Sequence, residues 1–339
     1  MLKKISWGIL LILIALCLYY WNWLAYGYFQ AKGQLKVITE SRPIEDFLQD
    51  PDFPDSRKQK LKLTMAVRGF AVDSLGLNKS DNYTELYDQK GKTLLWNVSA
   101  SEPYALKAYT WEYPFLGEMP YKGFFDLEKA KKEAESLKEK GLDVRIRTVG
   151  GWSTLGILKD PLLSNMLERN DGALAEVIIH ELTHATLFVK NEVEFNENLA
   201  SFIGEKGAER FLISHFGDSS AQHLEYLQSQ ADSKTLTRII LKGATTLDSL
   251  YDTFNDTLST PLKDSLKNNC IQGIADYLKN GAFYNARYQK IFDEVLPNNA
   301  YFMAHRRYHD QEDSIQTIFH QYDDNIKLML TDLKKKYGK

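Results

Sequence analysis

The sequence predicts an α+β fold in which helices predominate. Candidate strands occur in the first half of the chain, whereas nearly all of the chain beyond Gly172 has apolar residues at helical spacing. A few strands followed by many helices favour an α+β arrangement over a doubly wound sheet. The 339 residues are 44% hydrophobic and 26% charged, which is the composition of a folded protein.

The first element is a largely apolar segment, residues 5–29, in which no residue is charged. It is longer than the ~20 residues that cross the ~30 Å hydrocarbon layer, and aromatic residues that prefer the headgroup boundary crowd its carboxyl end. We therefore expect residues 1–29 to be an uncleaved anchor in the inner (cytoplasmic) membrane and residues 36–339 to be one domain. Lys3 and Lys4 favour a cytoplasmic amino terminus, with the domain in the periplasm or outside the cell. A cleaved signal peptide is the alternative, but no small-x-small cleavage site follows the apolar core.

The elements that follow are predicted from apolar periodicity, helix-capping residues and glycines. They are, in order, a helix within 43–76, a strand at 92–100, an irregular segment at 103–125, a helix at 126–141, a strand at 144–152, and two long helices at 219–254 and 261–292.

Charge and cysteine content exclude several classes of protein. Forty-two Lys and Arg residues oppose forty-five Asp and Glu residues, and the net charge of −3 contains no long block of like charge. A nucleic acid is therefore not an expected partner. Cys17 and Cys270 are too few for a cysteine zinc cluster, and their contexts differ too much for a mutual disulfide.

The most informative motif is HExxH at residues 180–184, which follows the apolar residues 177–179. Residues four apart lie on one face of a helix, so His180 and His184 can bind one metal ion. Glu181 lies beside them without ligating and is positioned to act as a general base toward a bound water. The motif predicts a metal-dependent hydrolase site on a buried helix.

A catalytic zinc site normally has a third protein ligand. We choose Glu197, which lies thirteen residues after His184 in the first turn of a second predicted helix, 196–211. That helix can fold back against the first one. The other acidic candidates at short range are Glu192, Glu194 and Glu205.

Further segments resemble a known family. They are GYFQAKGQ at 27–34, WNVSA at 96–100, PYKGFF at 120–125, STLGILKDPLLSNML at 153–167, FNENLASFIGEKG at 195–207 and NNA at 298–300, followed by Tyr308. Together with HExxH, they resemble the bacterial predicted aminopeptidase family of membrane-attached or lipoprotein zincins. The resemblance covers most of the chain.

The resemblance implies a helix-rich zincin fold, with a small sheet packed on the HExxH helix and a large helical region after it. It implies Zn²⁺ as the cofactor, His180, His184 and Glu197 as ligands, and Glu181 as the catalytic base. The implied function is that of a zinc-dependent peptidase, specifically an aminopeptidase, which hydrolyses peptide bonds with a zinc-activated water. A peptide is then the expected substrate, and the amino-terminal helix the expected membrane contact.

Zincins generally bind substrate along the edge of a sheet beside the metal helix. The extended segment 150–156 is the expected edge, and Gly151, Trp152 and Ser153 are the expected substrate-binding residues. A plain buried strand and turn is the alternative. An aminopeptidase must also bind the substrate ammonium with a carboxylate, for which the candidates are Glu118, Glu192 and Glu194.

A second donor is expected to stabilise the oxyanion that forms during hydrolysis. Tyr301, His305 and Tyr308 lie at i, i+4 and i+7, so one helical face can present all three. We choose Tyr308 because the family pattern has a tyrosine there, with His305 as the second choice. Ordinary packing of this face is the alternative.

Two other functions are compatible with these residues. One is a membrane-tethered binding protein that keeps the zincin fold without turnover, although the intact Glu181 argues against it. The other is a zinc hydrolase of a non-peptide amide, which would use the same ligands and base.

Overall fold

The computed structural model describes residues 7, 18–113, 117–149, 159–309 and 312–337, most of which are helical. The α-helices are α1 (Trp21–Glu40), α2 (Ile44–Gln49), α3 (Asp55–Asp73), α4 (Leu127–Glu139), α5 (Asp171–Thr186), α6 (Val193–Phe216), α7 (Ala221–Tyr251), α8 (Thr260–Lys279), α9 (Asn299–His309), α10 (Glu312–His320) and α11 (Ile326–Tyr337). Short 3-10 helices occupy Ser164–Glu168 and Ala286–Lys290.

The strands form three small sheets. They are β1 (Arg42–Pro43), β2 (Glu85–Tyr87), β3 (Trp96–Ser101), β4 (Trp111–Tyr113), β5 (Gly117–Met119), β6 (Lys122–Phe124), β7 (Asp143–Thr148) and β8 (Leu162–Leu163). In the first sheet, β2 pairs antiparallel with β1 and parallel with β8. In the second, β3 lies between β6 and β7 and pairs antiparallel with both. The third is the hairpin of β4 and β5.

Three apolar clusters hold these elements together. The main core packs α3, α5, α6 and α11 and includes Leu61, Ile178, Phe211 and Leu330. A second cluster joins α7, α8 and α9, with Phe302 of α9 fully buried in it. A third cluster packs one face of β3 on α4. Helix α9 therefore belongs to the packing of the carboxyl-terminal helices, and its position affects the candidate site described below.

The other face of the second sheet is polar and receives the start of α9. The Asp143 carboxylate of β7 accepts hydrogen bonds from Lys267 Nζ at 2.7 Å and from the Asn299 backbone N–H at 2.8 Å. The Asn299 side-chain oxygen accepts from the Tyr251 hydroxyl at 2.8 Å. Lys267 and Asn299 are both buried. Because buried polar groups need partners, this network fixes the start of α9 against the sheet.

Most predicted elements have counterparts in the structure. The helix predicted within 43–76 corresponds to α2 and α3, the strand at 92–100 to β3, the helix at 126–141 to α4 and the helix at 219–254 to α7. The strand predicted at 144–152 corresponds to β7, and residues 150–152 lie outside the described part of the chain.

Two predictions of local structure were wrong. The segment 103–125, expected to be irregular, contains β4, β5 and β6, each of which is too short to show an alternating pattern. The long helix expected at 261–292 ends at Lys279. Asn280 and Gly281 follow it, and both residue types disfavour helix continuation.

The prediction of a single-pass protein of the inner membrane, facing the periplasm or cell exterior, is also wrong. Across the residues that the structure describes, no helix is both long enough and apolar enough to cross a membrane. The carboxyl half of α1 carries Lys32, Lys36 and Glu40. Its amino-terminal half packs on the second sheet, where the Tyr26 hydroxyl donates to the Gly123 carbonyl at 2.9 Å. Residues 1–6 and 8–17 of the expected anchor lie outside the described residues.

Candidate metal centre

The HExxH motif occupies the last two turns of α5. This helix begins after Asn170, whose side chain accepts a hydrogen bond from the Ala173 N–H at 2.8 Å and so satisfies one free donor of the first turn. Ile178 and Ile179 are buried in the main core and anchor the helix. One helical turn separates His180 from His184, and their Nε2 atoms lie 3.2 Å apart.

Glu197 enters the same site from the second turn of α6, because this helix begins at Val193, three residues before the predicted start. Its Oε2 atom lies 3.6 Å from His180 Nε2 and 3.8 Å from His184 Nε2. The exposed fractions of these side chains are 12% for Glu197, 17% for His180 and 6% for His184, so the centre has limited contact with water. Within the described ranges, His180, His184 and Glu197 form the group of His, Cys, Asp or Glu side chains whose ligand atoms lie close enough together to hold one metal ion.

The other acidic residues considered as ligands point elsewhere. Glu192 and Glu194 are exposed at the start of α6. Glu205 lies two turns further along that helix, where its carboxylate forms an ion pair with Lys234 at 2.6 Å. Glu197 is therefore the acidic residue that the structure brings to the two histidines.

Glycines on α6 allow the two helices to approach closely at the centre. A Cβ atom at Gly204 would lie 3.0 Å from the Glu176 carbonyl oxygen and 3.2 Å from His180 Cβ. A Cβ atom at Gly207 would lie 3.0 Å from Ile179 Cγ2. These distances are shorter than an ordinary carbon contact of about 3.5–4.0 Å, so a larger residue would push α6 away from α5.

The charges of the centre favour a bound cation. Burial is the largest influence on the pKa of His180 and acts to lower it, but the hydrogen bond to the Glu197 carboxylate and the charges of the nearby glutamates together outweigh burial, so the pKa is raised. Burial acts to raise the pKa of Glu197, yet the two histidines outweigh it and the pKa is lowered. Glu197 is thus held as a carboxylate in a poorly hydrated site, where a positive charge stabilises it.

The three side chains fit a tetrahedral metal ion. Bonds of 2.0–2.1 Å to a tetrahedral zinc ion place neighbouring ligand atoms about 3.3 Å apart. The three observed separations, 3.2, 3.6 and 3.8 Å, are close to this value. Two imidazoles and one carboxylate are also a donor set found in catalytic zinc sites. The residues can therefore hold a metal ion, and the donor set alone does not exclude other divalent ions.

Glu181 interacts electrostatically with two residues, Tyr83 and Arg169, that the sequence analysis did not connect with the site. Burial, followed by the nearby Glu181 and Asp160 carboxylates, raises the pKa of Tyr83 well above its usual value. Tyr83 is fully buried and has a left-handed backbone with φ of 60°, which is unusual for a large residue. Burial also lowers the pKa of Arg169, while Glu181 acts in the opposite sense. Tyr83, which precedes β2, and Arg169, two residues before α5, are therefore within electrostatic range of Glu181.

A second acidic group lies one turn before His180. Glu176 accepts hydrogen bonds from the Tyr226 hydroxyl at 2.9 Å and from Gln230 Nε2 at 2.7 Å. Burial raises the pKa of Glu176. Because its carboxyl oxygen is already satisfied by α7, Glu176 serves to join α5 to α7 and does not reach the metal centre.

The predicted substrate and oxyanion residues are only partly described. Gly151, Trp152 and Ser153 lie outside the described residues, as does the side chain of Tyr308. Tyr308 belongs to α9, and the carbonyl of the preceding residue accepts a hydrogen bond from Asn198 Nδ2 at 2.8 Å. The backbone at the end of α9 therefore lies beside the residue that follows Glu197.

The remaining candidates of this region are His305 and Glu118. The His305 ring stacks on the Tyr301 ring, with 4.7 Å between their centroids. Glu118 is exposed on β5 and accepts a hydrogen bond from Thr110. A Cβ atom at the neighbouring Gly117 would clash with the Asn191 side chain, so the β4–β5 hairpin contacts the loop between α5 and α6.

Fold and site together define a helix-rich α+β protein with a candidate metal centre of two histidines and one glutamate. The chain belongs to the protein family described as "Putative aminopeptidase", which matches residues 25–337. No curated protein and no solved structure matches the chain. Membership of this family supports a peptidase in general terms.

The close approach at Gly204 leads to a testable prediction. Gly204→Ala should weaken Zn²⁺ binding by about tenfold and lower the free energy of unfolding by about 1–3 kcal/mol, because the added methyl group displaces α6 from α5. Gly273→Ala is the matched control, since nothing lies within 4 Å of a Cβ atom at that position of α8. The control should bind Zn²⁺ normally and gain up to ~1 kcal/mol. Chelator competition and urea unfolding measure both quantities, and an unchanged Gly204→Ala protein would contradict the prediction.

Proposed function

We propose that this protein is a zinc-dependent peptidase with aminopeptidase activity, built on a zincin fold. The observation that carries the proposal is the convergence of His180, His184 and Glu197 from two tightly packed helices. The match of residues 25–337 to the aminopeptidase family supports the same reaction class.

His180, His184 and Glu197 would hold Zn²⁺ through two imidazole nitrogens and one carboxylate oxygen. When bound, the ion would supply Lewis-acid chemistry, polarising the scissile carbonyl and making a water molecule more acidic. All three proposed ligands come from helices anchored in the main core, which would hold their geometry constant during turnover.

Glu181 is the proposed general base. Its carboxylate follows His180 directly in the motif and would accept a proton from the attacking water, then donate it to the amine leaving group. It lies close enough to Tyr83 and Arg169 for electrostatic interaction with both. This surrounding structure would orient the carboxylate during proton transfer.

The proposed substrate is a peptide. Gly151, Trp152 and Ser153 remain the proposed substrate-binding residues, in the segment that follows the edge strand β7. The substrate ammonium would be bound by one of three carboxylates. Two of these candidates, Glu118 and Glu192, directly follow Gly117 and Asn191, the residues at which the β4–β5 hairpin contacts the loop between α5 and α6.

The roles of ligand and base can be separated by mutation. His180→Ala and Glu197→Ala should lose both bound Zn²⁺ and peptidase activity, because ligands hold the ion. Glu181→Gln should keep about one Zn²⁺ per chain but lose activity by about 10²–10⁴-fold, because a base only transfers protons. Metal analysis and digestion of a peptide library check both outcomes.

Glu205→Gln is the matched control for this series, since Glu205 lies on the same helix and forms an ion pair with Lys234. It should retain metal and activity. Stoichiometric Zn²⁺ with unchanged affinity in Glu197→Ala would refute the ligand assignment.

Tyr308 is the proposed oxyanion donor. Tyr308→Phe should leave folding and Zn²⁺ content intact and reduce kcat/KM by ~10²-fold or more, which is the usual effect of losing one oxyanion donor. The measurement compares Tyr308→Phe with His305→Ala at equal metal occupancy. Near-normal turnover in Tyr308→Phe, with severe loss in His305→Ala, would transfer the role to the histidine.

A further inference from the structure

Two asparagines flank the proposed third ligand in the sequence Asn196-Glu197-Asn198. Each is only 2% exposed. Residues adjacent in an α-helix project about 100° apart, so neither asparagine shares the direction of the Glu197 side chain. Their amide groups instead bond the backbone of two other segments.

Asn196 secures the loop that joins the two metal-binding helices. Its side-chain oxygen accepts from the Val189 N–H at 2.8 Å, and its Nδ2 donates to the Val189 carbonyl at 2.7 Å. The Asn196 side-chain amide thus bonds both the N–H and the carbonyl of Val189. The same carbonyl also accepts from the Glu192 N–H at 3.2 Å, which closes a turn in which Asn191 has a left-handed φ of 64°. A turn of this kind favours Asn or Gly at that position.

Asn198 secures the other side of the ligand. Its Nδ2 donates at 2.8 Å to the Glu194 carbonyl, within α6, and at 2.8 Å to the Arg307 carbonyl of α9. The Arg307 guanidinium lies over the Tyr121 ring, 5.4 Å from its centroid, beside β6. Asn198 therefore fixes the second turn of α6 to the end of α9, one residue before Tyr308.

These contacts matter because the metal site is divided between two helices. His180 and His184 are fixed by α5, but Glu197 can reach them only if the second turn of α6 stays in place. The two helices are connected by a non-helical loop, residues 187–192. Without the asparagine contacts, this loop would leave that turn able to shift or rotate. A functional metal site requires its ligands within about 0.5 Å of the productive geometry.

We propose that Asn196 and Asn198 are positioning residues that hold the Glu197 carboxylate against the two histidines, through the Val189 backbone on one side and the Arg307 carbonyl on the other. The inference rests on the proposed function, since it requires the centre to bind a metal ion. Neither asparagine contacts the metal position. Both act through the backbone, in a region where buried amides have little water to replace lost bonds.

The test uses the full chain with Asn196→Ala and Asn198→Ala. Zn²⁺ affinity is measured by competition with a chromophoric chelator, and the visible spectrum of the Co²⁺-loaded protein reports the coordination geometry. We expect each variant to bind Zn²⁺ about 10–100-fold more weakly, the usual effect of losing a residue that supports a ligand. We also expect an altered Co²⁺ spectrum.

Asp232→Ala is the matched control for a purely structural effect. Asp232 is also 2% exposed, and its carboxylate accepts from the Tyr284 and Asn285 N–H groups at 2.7 and 2.8 Å, away from the metal centre. It should lower the melting temperature of the protein while leaving Zn²⁺ affinity and the Co²⁺ spectrum unchanged. Where an alanine variant does not fold, Asn196→Ser or Asn198→Ser is used instead. We expect these variants also to bind Zn²⁺ more weakly and to alter the Co²⁺ spectrum.

The possible outcomes separate this inference from the proposed function. Parent-like Zn²⁺ affinity and Co²⁺ spectrum in the asparagine variants would overturn the positioning role, as would an equal loss of affinity in Asp232→Ala. If the parent binds Zn²⁺ and Glu197→Ala does not, the metal centre stands whichever way the asparagines behave. If the parent itself does not bind Zn²⁺, the proposed function and the positioning role are both overturned.

Discussion

The contact between α5 and α6 at Gly204 is the constraint on which the candidate site depends. Two ligands come from one helix and the third from the other, so the distance between the helix axes decides whether the Glu197 carboxylate reaches the imidazoles. Packed helices are commonly 8–10 Å apart, depending on the side chains at the contact. A glycine beside His180 permits a close approach, and the buried neighbours Ile179 and Ile203 stabilise it.

The distribution of charge around α5 also depends on this packing. Glu176 accepts hydrogen bonds from Tyr226 and Gln230 of α7, which hold its carboxyl group on the side of α5 that faces α7. Glu197 faces the histidines. Glu181 is within electrostatic range of His180, Tyr83 and Arg169. Because burying an unpaired charge is costly, each carboxylate needs its own partner. A metal ion held by His180, His184 and Glu197 would be such a partner for the Glu197 carboxylate.

The centre of the site could be predicted from sequence because its signals are local. HExxH places two histidines one turn apart on any helix, and the apolar residues before it indicate burial. The choice of Glu197 over Glu205 could be argued only from helix spacing. In the structure, long-range contacts distinguish the two residues. The Glu205 carboxylate forms an ion pair with Lys234 of α7, whereas the Glu197 carboxylate lies beside the histidines.

The features that sequence reasoning missed depend on tertiary contacts. Tyr83 and Arg169 approach Glu181 from outside the motif, and no spacing rule relates them to it. The amino-terminal segment misled for a related reason, because hydropathy counts residue types without their neighbours. The aromatic residues at its carboxyl end, Tyr26 among them, predict a membrane boundary, whereas the Tyr26 hydroxyl donates to the Gly123 carbonyl and its ring packs on Phe124.

The most direct test of the central claim is X-ray absorption at the zinc edge of the full chain loaded with one equivalent of Zn²⁺. The account predicts a first shell of nitrogen and oxygen at about 2.0–2.1 Å, with the outer-shell scattering of two imidazoles and no sulfur. A sulfur shell near 2.3 Å, or scattering from fewer than two imidazoles, would contradict a centre formed by His180, His184 and Glu197.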